Sequence, residues 1–377
     1  MEVKDFKQFI DDITKITNNE FQLKTESIDT KNNEFLFRIK HYSNFKQITI
    51  DKIKRLYDTY KDDDYQKKAI LNDVENLFYK SWDGAYSEIT AYDMLNLAFD
   101  NPCNIQINNI RRQNTLAKYC SGSNVSEIDG FIEDALMFFE VKTLQNRFFS
   151  LMNKIKKEVE CYDDNNYFII ESDYPLNLEL NGDKNYAALK KEILYARKNK
   201  IKWLNSKVVK GLFLKFKYIK EPIRSEFHIC ENSYEMAQRL ERLPLEDYNQ
   251  FVDGKFAKIF VCNGLNLSNS IICNEEFFRA LSRRVFCRLT KVRTVHNEQS
   301  KKTTSFIAKR LGGLMYIVDL SANTDKLIKN PRDLYQVYFY TNPNVVKKNK
   351  LFDIHHIYSN LNRMKKCACD DFVADNY

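Results

Sequence analysis

Two short apolar segments near the middle of the chain constrain its fold more than any other stretch. Residues Ser126 to Gln145 read SEIDGFIEDALMFFEVKTLQ. Aromatic and β-branched residues in runs of this length are typical of strands. The stretch therefore predicts one strand at Glu127–Ile132 and a second at Met137–Thr143, joined as a hairpin.

Alternation along these strands decides which polar side chains meet. Glu140 and Lys142 are two residues apart and share a face, while Val141 points into the core. Asp129 lies on the neighbouring strand. Burying two carboxylates and an amine on an apolar hairpin is costly unless a metal or mutual pairing offsets it.

Mg²⁺ prefers hard oxygen ligands such as carboxylates and backbone carbonyls. We therefore expect Asp129, Glu140 and the Val141 carbonyl to bind Mg²⁺. Lys142 would orient or activate a water molecule. Gly130 would leave room for the metal or a phosphate to approach the backbone.

These residues resemble the pattern of the PD-(D/E)XK nucleases, the restriction-endonuclease-like superfamily. Asp129, Glu140 and Lys142 match the Asp, Glu and Lys of the pattern, whereas Ile128 stands where the pattern has Pro. The resemblance covers roughly residues 82–220.

The resemblance implies an α/β core in which helices flank a mixed central sheet. It also implies that Mg²⁺, or Mn²⁺ as a substitute, is the cofactor. Glu88, on a helix predicted at Tyr86–Phe99, matches an extra acidic metal ligand, although Asp83 and Asp93 compete for that role. Gln145 matches a supporting polar residue that follows the Lys in some members.

A structural alternative stays open, because an Asp followed by Glu-X-Lys also arises by chance. The hairpin would then be exposed, with Glu140 and Lys142 paired on its solvated face. An inactive relative that only binds nucleic acid is a further alternative.

Charge distribution indicates a polyanionic partner. The formal net charge is +8, and residues 193–220 carry nine Lys and Arg without a carboxylate. Residues 277–318 carry ten Lys and Arg against one acid, Glu298. Such blocks favour nucleic acid, although a solvated surface would also explain either one. The expected nucleic-acid contacts are Arg111, Arg112, Lys198, Lys200, Lys202, Lys207, Lys210, Arg279, Arg283, Arg284 and Arg288.

The remaining pattern predicts three consecutive parts. Residues 1–80 form an N-terminal, mainly helical region, with Asn33–Lys40 alternating like a strand. Residues 81–220 form the nuclease-like core, and residues 221–377 form a basic α+β domain for recognition or dimerisation. In that last part, Gly312-Gly313 between two apolar runs predicts a hairpin turn.

Several function classes are disfavoured by what the sequence lacks. It has no phosphate-binding glycine loop and only nine glycines, which disfavours nucleotide-driven chemistry. His355-His356 with Cys367 and Cys369 lacks the usual zinc spacing, so surface residues are the better interpretation. Nine scattered cysteines and the absence of a long apolar run predict a cytoplasmic protein outside the membrane.

The sequence therefore predicts a Mg²⁺-dependent endonuclease that hydrolyses phosphodiester bonds, with DNA favoured over RNA as its substrate. A homodimer would let two sites cut two strands. The alternatives are a non-catalytic nucleic-acid-binding or assembly protein that uses the basic blocks, and an RNA-directed nuclease of the same fold.

Overall fold

The structure is a computed structural model of the 377-residue chain. It describes residues 3–24, 28–29, 33–107, 128–145, 155, 167–172, 183–209, 212–217, 227–228, 254–267, 272, 274–290, 308, 310–324, 328–346 and 351–372. The chain divides into two compact units. The first comprises Met1–Leu144, Leu240–Leu265 and Phe278–Tyr377, and the second comprises Gln145–Arg239 and Asn266–Phe277.

Helices dominate the N-terminal part of the first unit. After a 3₁₀ helix at Val3–Phe6, the α-helices are α1 (Lys7–Ile16), α2 (Glu34–His41), α3 (Ser43–Tyr60), α4 (Asp64–Asn76) and α5 (Trp82–Ala98). Their apolar faces pack into one hydrophobic core with one face of the sheet described next. The packing of α5 against both α4 and the sheet connects this helical region to the strands.

A seven-stranded mixed sheet forms the centre of the first unit, in the order β1-β2-β3-β8-β9-β10-β11. Its strands are β1 (Asn104–Ile107), β2 (Ile128–Ile132), β3 (Met137–Thr143), β8 (Phe256–Asn263), β9 (Leu311–Asp319), β10 (Tyr335–Thr341) and β11 (Lys366–Asp370). The pairs β1–β2, β2–β3 and β9–β10 are antiparallel, whereas β3–β8, β8–β9 and β10–β11 are parallel.

Helices flank this sheet, which confirms a mixed α/β architecture with a central mixed sheet. One face packs against α5, and the other packs against α7 (Glu275–Thr290), where Phe278 stacks on Tyr338 with ring centroids 5.2 Å apart. Burial on both faces explains why β8 and β9 are buried at every position. The remaining elements are 3₁₀ helices at Ser321–Asn323 and Pro331–Leu334, α8 (Pro343–Val346) and α9 (Ile354–Leu361).

The second unit contains a separate four-stranded sheet in the order β5-β6-β4-β7. Its elements are β4 (Tyr167–Ser172), α6 (Asp183–Lys198), β5 (Trp203–Asn205), β6 (Leu212–Lys217) and β7 (Phe227–His228). β5 lies at one edge and pairs antiparallel with β6. The sequence pattern also predicts helices at 145–161 and 232–242, and both ranges fall largely outside the described residues.

Two predicted elements are wrong. Residues 33–40 form a helix rather than a strand, because Asn33 caps it by accepting a hydrogen bond from the Leu36 amide at 3.0 Å. Gly312 and Gly313 lie inside β9 rather than in a turn. A Cβ on Gly312 would approach the Gly254 carbonyl oxygen to 2.6 Å, so this glycine serves close backbone packing.

The division into units also differs from the expected order of three segments. β3 and β8 are hydrogen-bonded neighbours in one sheet, yet the expected boundary near residue 221 separates them. The helices of residues 1–80 belong to the same unit as this sheet. Among the helices that the structure describes, none combines the length and the hydrophobicity needed to cross a membrane.

Candidate active site

The predicted hairpin is present and brings Asp129 to the second strand. β2 and β3 pair with Gly130 opposite Phe139 and Phe131 opposite Phe138. Asp129 precedes this register, and its Oδ2 accepts a hydrogen bond from the Val141 amide at 2.6 Å. The Asp129 carboxylate is therefore held beside the backbone between Glu140 and Lys142.

Glu140 and Lys142 form an ion pair that does not lie on a solvated face. Lys142 Nζ donates to Glu140 Oε1 at 2.8 Å, and the Lys142 side chain is 38% exposed. Glu140 as a whole is only 4% exposed. No donor in the described part of the chain reaches Glu140 Oε2, which is buried. Among the described residues, the site therefore contains a buried carboxylate oxygen without a hydrogen-bond donor.

Glu88 is the acid of α5 that reaches this site. The Gln106 side-chain amide donates to Glu88 Oε2 at 2.7 Å. The Tyr92 hydroxyl lies 3.5 Å from Glu88 Oε2 and 3.3 Å from the Asp129 carbonyl oxygen. The two competitors have other contacts. The Asp93 carboxylate pairs with Arg55, whereas Asp83 contacts the end of β3 through its main-chain carbonyl, which accepts from the Thr143 hydroxyl.

The helix and the strand are fixed to each other beside the carboxylates. Ser87, which precedes Glu88, shares a hydrogen bond of 2.7 Å with the Thr143 hydroxyl at the end of β3. Because the contact lies one residue from both Glu88 and Lys142, it limits the relative movement of the two elements.

Burial and mutual repulsion perturb the carboxyl groups. Burial, then the charges of Glu140 and Glu88, raise the pKa of Asp129 well above its ordinary value, although the Val141 amide opposes this rise. Burial also raises the pKa of Glu88, with the Gln106 hydrogen bond opposing and Glu140 adding to the rise. These mutual effects show that the three carboxyl groups are electrostatic neighbours.

Three residues at or beside this site were not predicted from the sequence. Asp73 of α4 is 5% exposed, and burial followed by the charges of Glu88 and Asp129 raises its pKa well above the ordinary value. Gln106, the donor to Glu88, has a left-handed backbone with φ 49°, a strained conformation for this residue type. Lys258 of β8 is fully buried and pairs in register with Glu140.

A signal for Asp73 existed in the sequence. Ile70, Asp73, Val74 and Leu77 follow helical spacing, and the three apolar members are fully buried. An acid on the apolar stripe of a helix is costly to bury. Lys258 gave a similar signal because it interrupts the apolar run of residues 256–261, whereas Gln106 gave none, since its importance depends on which elements become neighbours.

The structure also bears on the roles predicted for Gly130, Val141 and Gln145. A Cβ on Gly130 would lie 2.2 Å from the Phe139 ring, so this glycine makes room for a side chain rather than for a phosphate. Val141 is buried and contributes its amide to Asp129, while the metal-binding role of its carbonyl stays a prediction. Gln145 is exposed two residues beyond β3.

The donor set fits a hard divalent cation in type. Asp73, Glu88, Asp129 and Glu140 supply carboxylate oxygens, and two of these oxygens, Glu140 Oε2 and Asp73 Oδ2, are buried without a donor among the residues that the structure describes. Such orphan acceptors are what a cation satisfies. As the side chains stand, no group of three or more His, Cys, Asp or Glu within the described residues is arranged to hold a metal ion. Cation binding would therefore require these side chains to rotate closer together.

The predicted nucleic-acid contacts are spread over both units. Lys198, Lys200, Lys202 and Lys207 are exposed in the second unit. In the first unit Arg283 is exposed, Arg284 is half-buried, and Arg279 pairs with Asp370 at 2.9 Å, which gives it a structural role. Arg111, Arg112, Lys210 and the Arg288 side chain lie outside the described residues.

No family model, curated protein or solved structure matches the chain. The case for a function therefore depends on the residues of the site and on their surroundings.

Proposed function

We propose that this chain is a Mg²⁺-dependent nuclease that hydrolyses phosphodiester bonds in DNA on a restriction-endonuclease-like core. One observation carries the proposal. Asp129 and Glu140, which the motif places eleven positions apart, are neighbours on paired strands, Asp129 partly buried and Glu140 buried, with Glu88 beside them and Lys142 bonded to Glu140. A purely structural hairpin would gain nothing from this costly arrangement.

Glu88, Asp129 and Glu140 would hold the cation. A bound Mg²⁺ lowers the pKa of water and neutralises charge that develops on a phosphate. The protein supplies orientation. The Val141 amide fixes Asp129 and Gln106 fixes Glu88. The Lys142 side chain, which is 38% exposed, would place a positive charge where a solvent molecule and a phosphate oxygen can reach it.

A cleavage assay with the purified full chain tests the proposal. Supercoiled plasmid DNA and a structured RNA are incubated with Mg²⁺, with Mn²⁺, or with EDTA. We expect metal-dependent cleavage of DNA that falls by about 100-fold or more in Asp129→Asn and Lys142→Met. Lys54→Met, which removes an exposed lysine of α3, serves as the matched control and should cut normally.

Intact DNA and RNA with both metals would refute the nuclease proposal. Equal cleavage by Asp129→Asn and by the wild type would refute the site. Cleavage of RNA alone would favour the RNA-directed alternative.

A non-catalytic nucleic-acid-binding protein is the second candidate, and one observation favours it. The exposed lysines of the second unit are accompanied by two exposed aromatic side chains, Tyr195 at 61% and Trp203 at 59%. Lysines neutralise phosphates, and exposed rings can stack on bases. This candidate predicts salt-sensitive binding that needs no metal and is unchanged by Glu140→Ala.

A further inference from the structure

Two cysteines of β11 bring their sulfur atoms together at the end of the seven-stranded sheet. Cys367 and Cys369 are two residues apart in the strand, so their side chains share one face. Their Sγ atoms lie 3.5 Å apart. Both residues are thiols rather than halves of a disulfide. The pair belongs neither to the candidate active site nor to the basic surface of the second unit, so the proposed function leaves it without a role.

Strand pairing and packing fix the position of the two thiols. β11 pairs in parallel with β10, which sets Cys367 opposite Val337 and Cys369 opposite Phe339. Both cysteines pack against the hydrophobic core, and so does Tyr358 of α9, whose ring lies 6.2 Å from the Phe339 ring. Each cysteine nevertheless keeps part of its surface exposed, because β11 is the last strand of the described sheet. The thiols are therefore held beside each other and are within reach of a small solute.

The environment of this pair differs from that of the buried cysteines. Burial raises the pKa of the Cys103 thiol to about 12 and that of Cys262 well above its ordinary value, and buried thiols of this kind are inert. At the pair, a hydrogen bond with Cys367, followed by burial, raises the pKa of the Cys369 thiol. Cys369 therefore keeps its proton, which assigns the first nucleophilic attack to Cys367.

The spacing of the pair suits a disulfide that closes and opens readily. A disulfide bond is about 2 Å long, so the sulfurs need to approach by only about 1.5 Å. Residues two apart in an extended strand have Cα atoms about 6.6 Å apart, near the upper limit of the span that a disulfide bridges. A bridge at that limit is strained, and strained disulfides are the easily reduced ones. Among the described residues, no third ligand stands with the two sulfurs to complete a metal site.

We infer that Cys367 and Cys369 form a reversible redox site, which a small disulfide such as glutathione disulfide oxidises to an intramolecular bridge. The Cys367 thiolate attacks one sulfur of the oxidant, forms a mixed disulfide and releases one glutathione thiolate. Cys369 then loses its proton, attacks the Cys367 sulfur and releases the second glutathione. The two thiol protons of the protein end on the two glutathione molecules, so one disulfide is reduced as one is formed. This chemistry needs no metal and is independent of the proposed nuclease function.

Mass spectrometry of the full chain, equilibrated with mixtures of reduced and oxidised glutathione, tests this inference. The remaining thiols are alkylated with iodoacetamide in urea. Trypsin then cleaves after Lys366 and releases a peptide that contains Cys367 and Cys369 and no other cysteine. As the share of oxidised glutathione rises, we expect this peptide to lose two hydrogen atoms and to escape alkylation. It should return to the dithiol when the share falls again.

Two variants separate the pair from the other thiols of the chain. Cys369→Ser removes the second nucleophile, so Cys367 should gain one glutathione instead of closing a bridge. Cys287→Ser is the matched control, because it removes a half-buried cysteine of α7. Its peptide from Cys367 onward should lose two hydrogen atoms at the same glutathione ratios as the wild-type peptide does.

A wild-type peptide that stays reduced at every ratio would overturn the inference, and so would one that gains two glutathione molecules without closing a bridge. A bridge that persists in a large excess of reduced glutathione would overturn the reversibility. Bridges between chains, seen as a dimer on a non-reducing gel, would refute the intramolecular pairing. The wild-type measurement needs no variant, so the inference stays testable even if Cys369→Ser does not fold.

Discussion

Folding buries Asp73 and partly buries Asp129, so their carboxyl groups lose some of the water that best solvates their charged forms. Burial raises the pKa of both groups, so each folded carboxyl keeps its proton to a higher pH than it does in the unfolded chain. In metal-free protein the native state therefore binds more protons. The two protonated carboxyl groups should therefore make their full contribution to the free energy of unfolding below about pH 4. That contribution should be lost as the pH rises through the raised pKa values.

Asp73→Asn isolates this effect at a single residue. With EDTA present, the variant should be more stable than the wild type by about 1 kcal/mol at pH 7, and the difference should shrink toward pH 4. Urea denaturation at a series of pH values measures it. Asp64→Asn, the exposed control, should show no such trend. A loss of stability at pH 7, or a gain that does not change with pH, would contradict the account.

The residues of the site could be predicted only where the pattern that places them is local. Asp129, Glu140 and Lys142 follow from strand alternation within one hairpin, whereas Glu88 was expected from the resemblance to the PD-(D/E)XK pattern. Asp73 lies on another helix and contacts the site only because α4 packs on α5. Helical spacing could identify Asp73 as a buried acid, but it could not identify the residues that surround its side chain.

At the scale of one element, α5 connects the candidate site to a buried ionic network. Glu88 and Tyr92 lie on one side of the helix, whereas Tyr86, Thr90 and Asp93 recur at helical spacing on the opposite side. The Tyr86 hydroxyl donates to Asp319 Oδ2 at 2.7 Å, and Lys52 Nζ pairs with the same oxygen at 2.7 Å. Both charged side chains are fully buried, so this network fixes the position of α5 between α3 and β9.

Removing one partner of this pair should be costly. Burial opposes the ionisation of Asp319, but Lys52 outweighs it and holds the pKa of the carboxyl below its ordinary value. Asp319→Asn would leave the Lys52 ammonium buried without its counter-ion. We expect a loss of about 3–5 kcal/mol in the free energy of unfolding, and a Lys52→Met/Asp319→Asn double variant that loses less than the sum of the single variants.

Urea denaturation of the wild type, both single variants and the double variant completes this cycle. The pair Lys54 and Asp58 on α3 is the control, because both of its side chains are about half exposed. The same cycle there should yield less than about 1 kcal/mol of coupling. Equal couplings for the two pairs would refute the role given to the buried network.

At the scale of the whole molecule, local patterns identified most strands but not their order. The sequence pattern also predicts strands at Lys255–Val261 and Leu334–Tyr340, and both are confirmed within two residues at each end. Periodicity reports how a strand is buried and carries no information on its neighbours. The chain segment between β3 and β8 contains the sheet of the second unit, yet these two strands pair directly. A boundary drawn where the pattern changes therefore separated two neighbouring strands of one sheet.

The second unit offers a surface that can be tested apart from catalysis. Lys198, Lys200 and Lys202 are exposed, and so is Trp203 at 59%. Phosphate contacts depend on salt because binding releases counter-ions, whereas stacking on a ring depends on salt much less. The two kinds of contact can therefore be distinguished by the slope of affinity against salt concentration.

We expect Lys200→Glu and Trp203→Ala to weaken binding of single-stranded DNA in different ways. With EDTA present to prevent cleavage, fluorescence anisotropy should show that Lys200→Glu lowers the salt slope by about 1 or more. Trp203→Ala should lower affinity by about 10-fold with the slope unchanged. Lys68→Glu, which reverses an exposed charge on α4 of the first unit, is the control for net charge alone. Equal weakening of DNA binding by Lys68→Glu and Lys200→Glu would show that the loss of affinity comes from net charge alone. The proposal that the second unit binds single-stranded DNA would then be refuted.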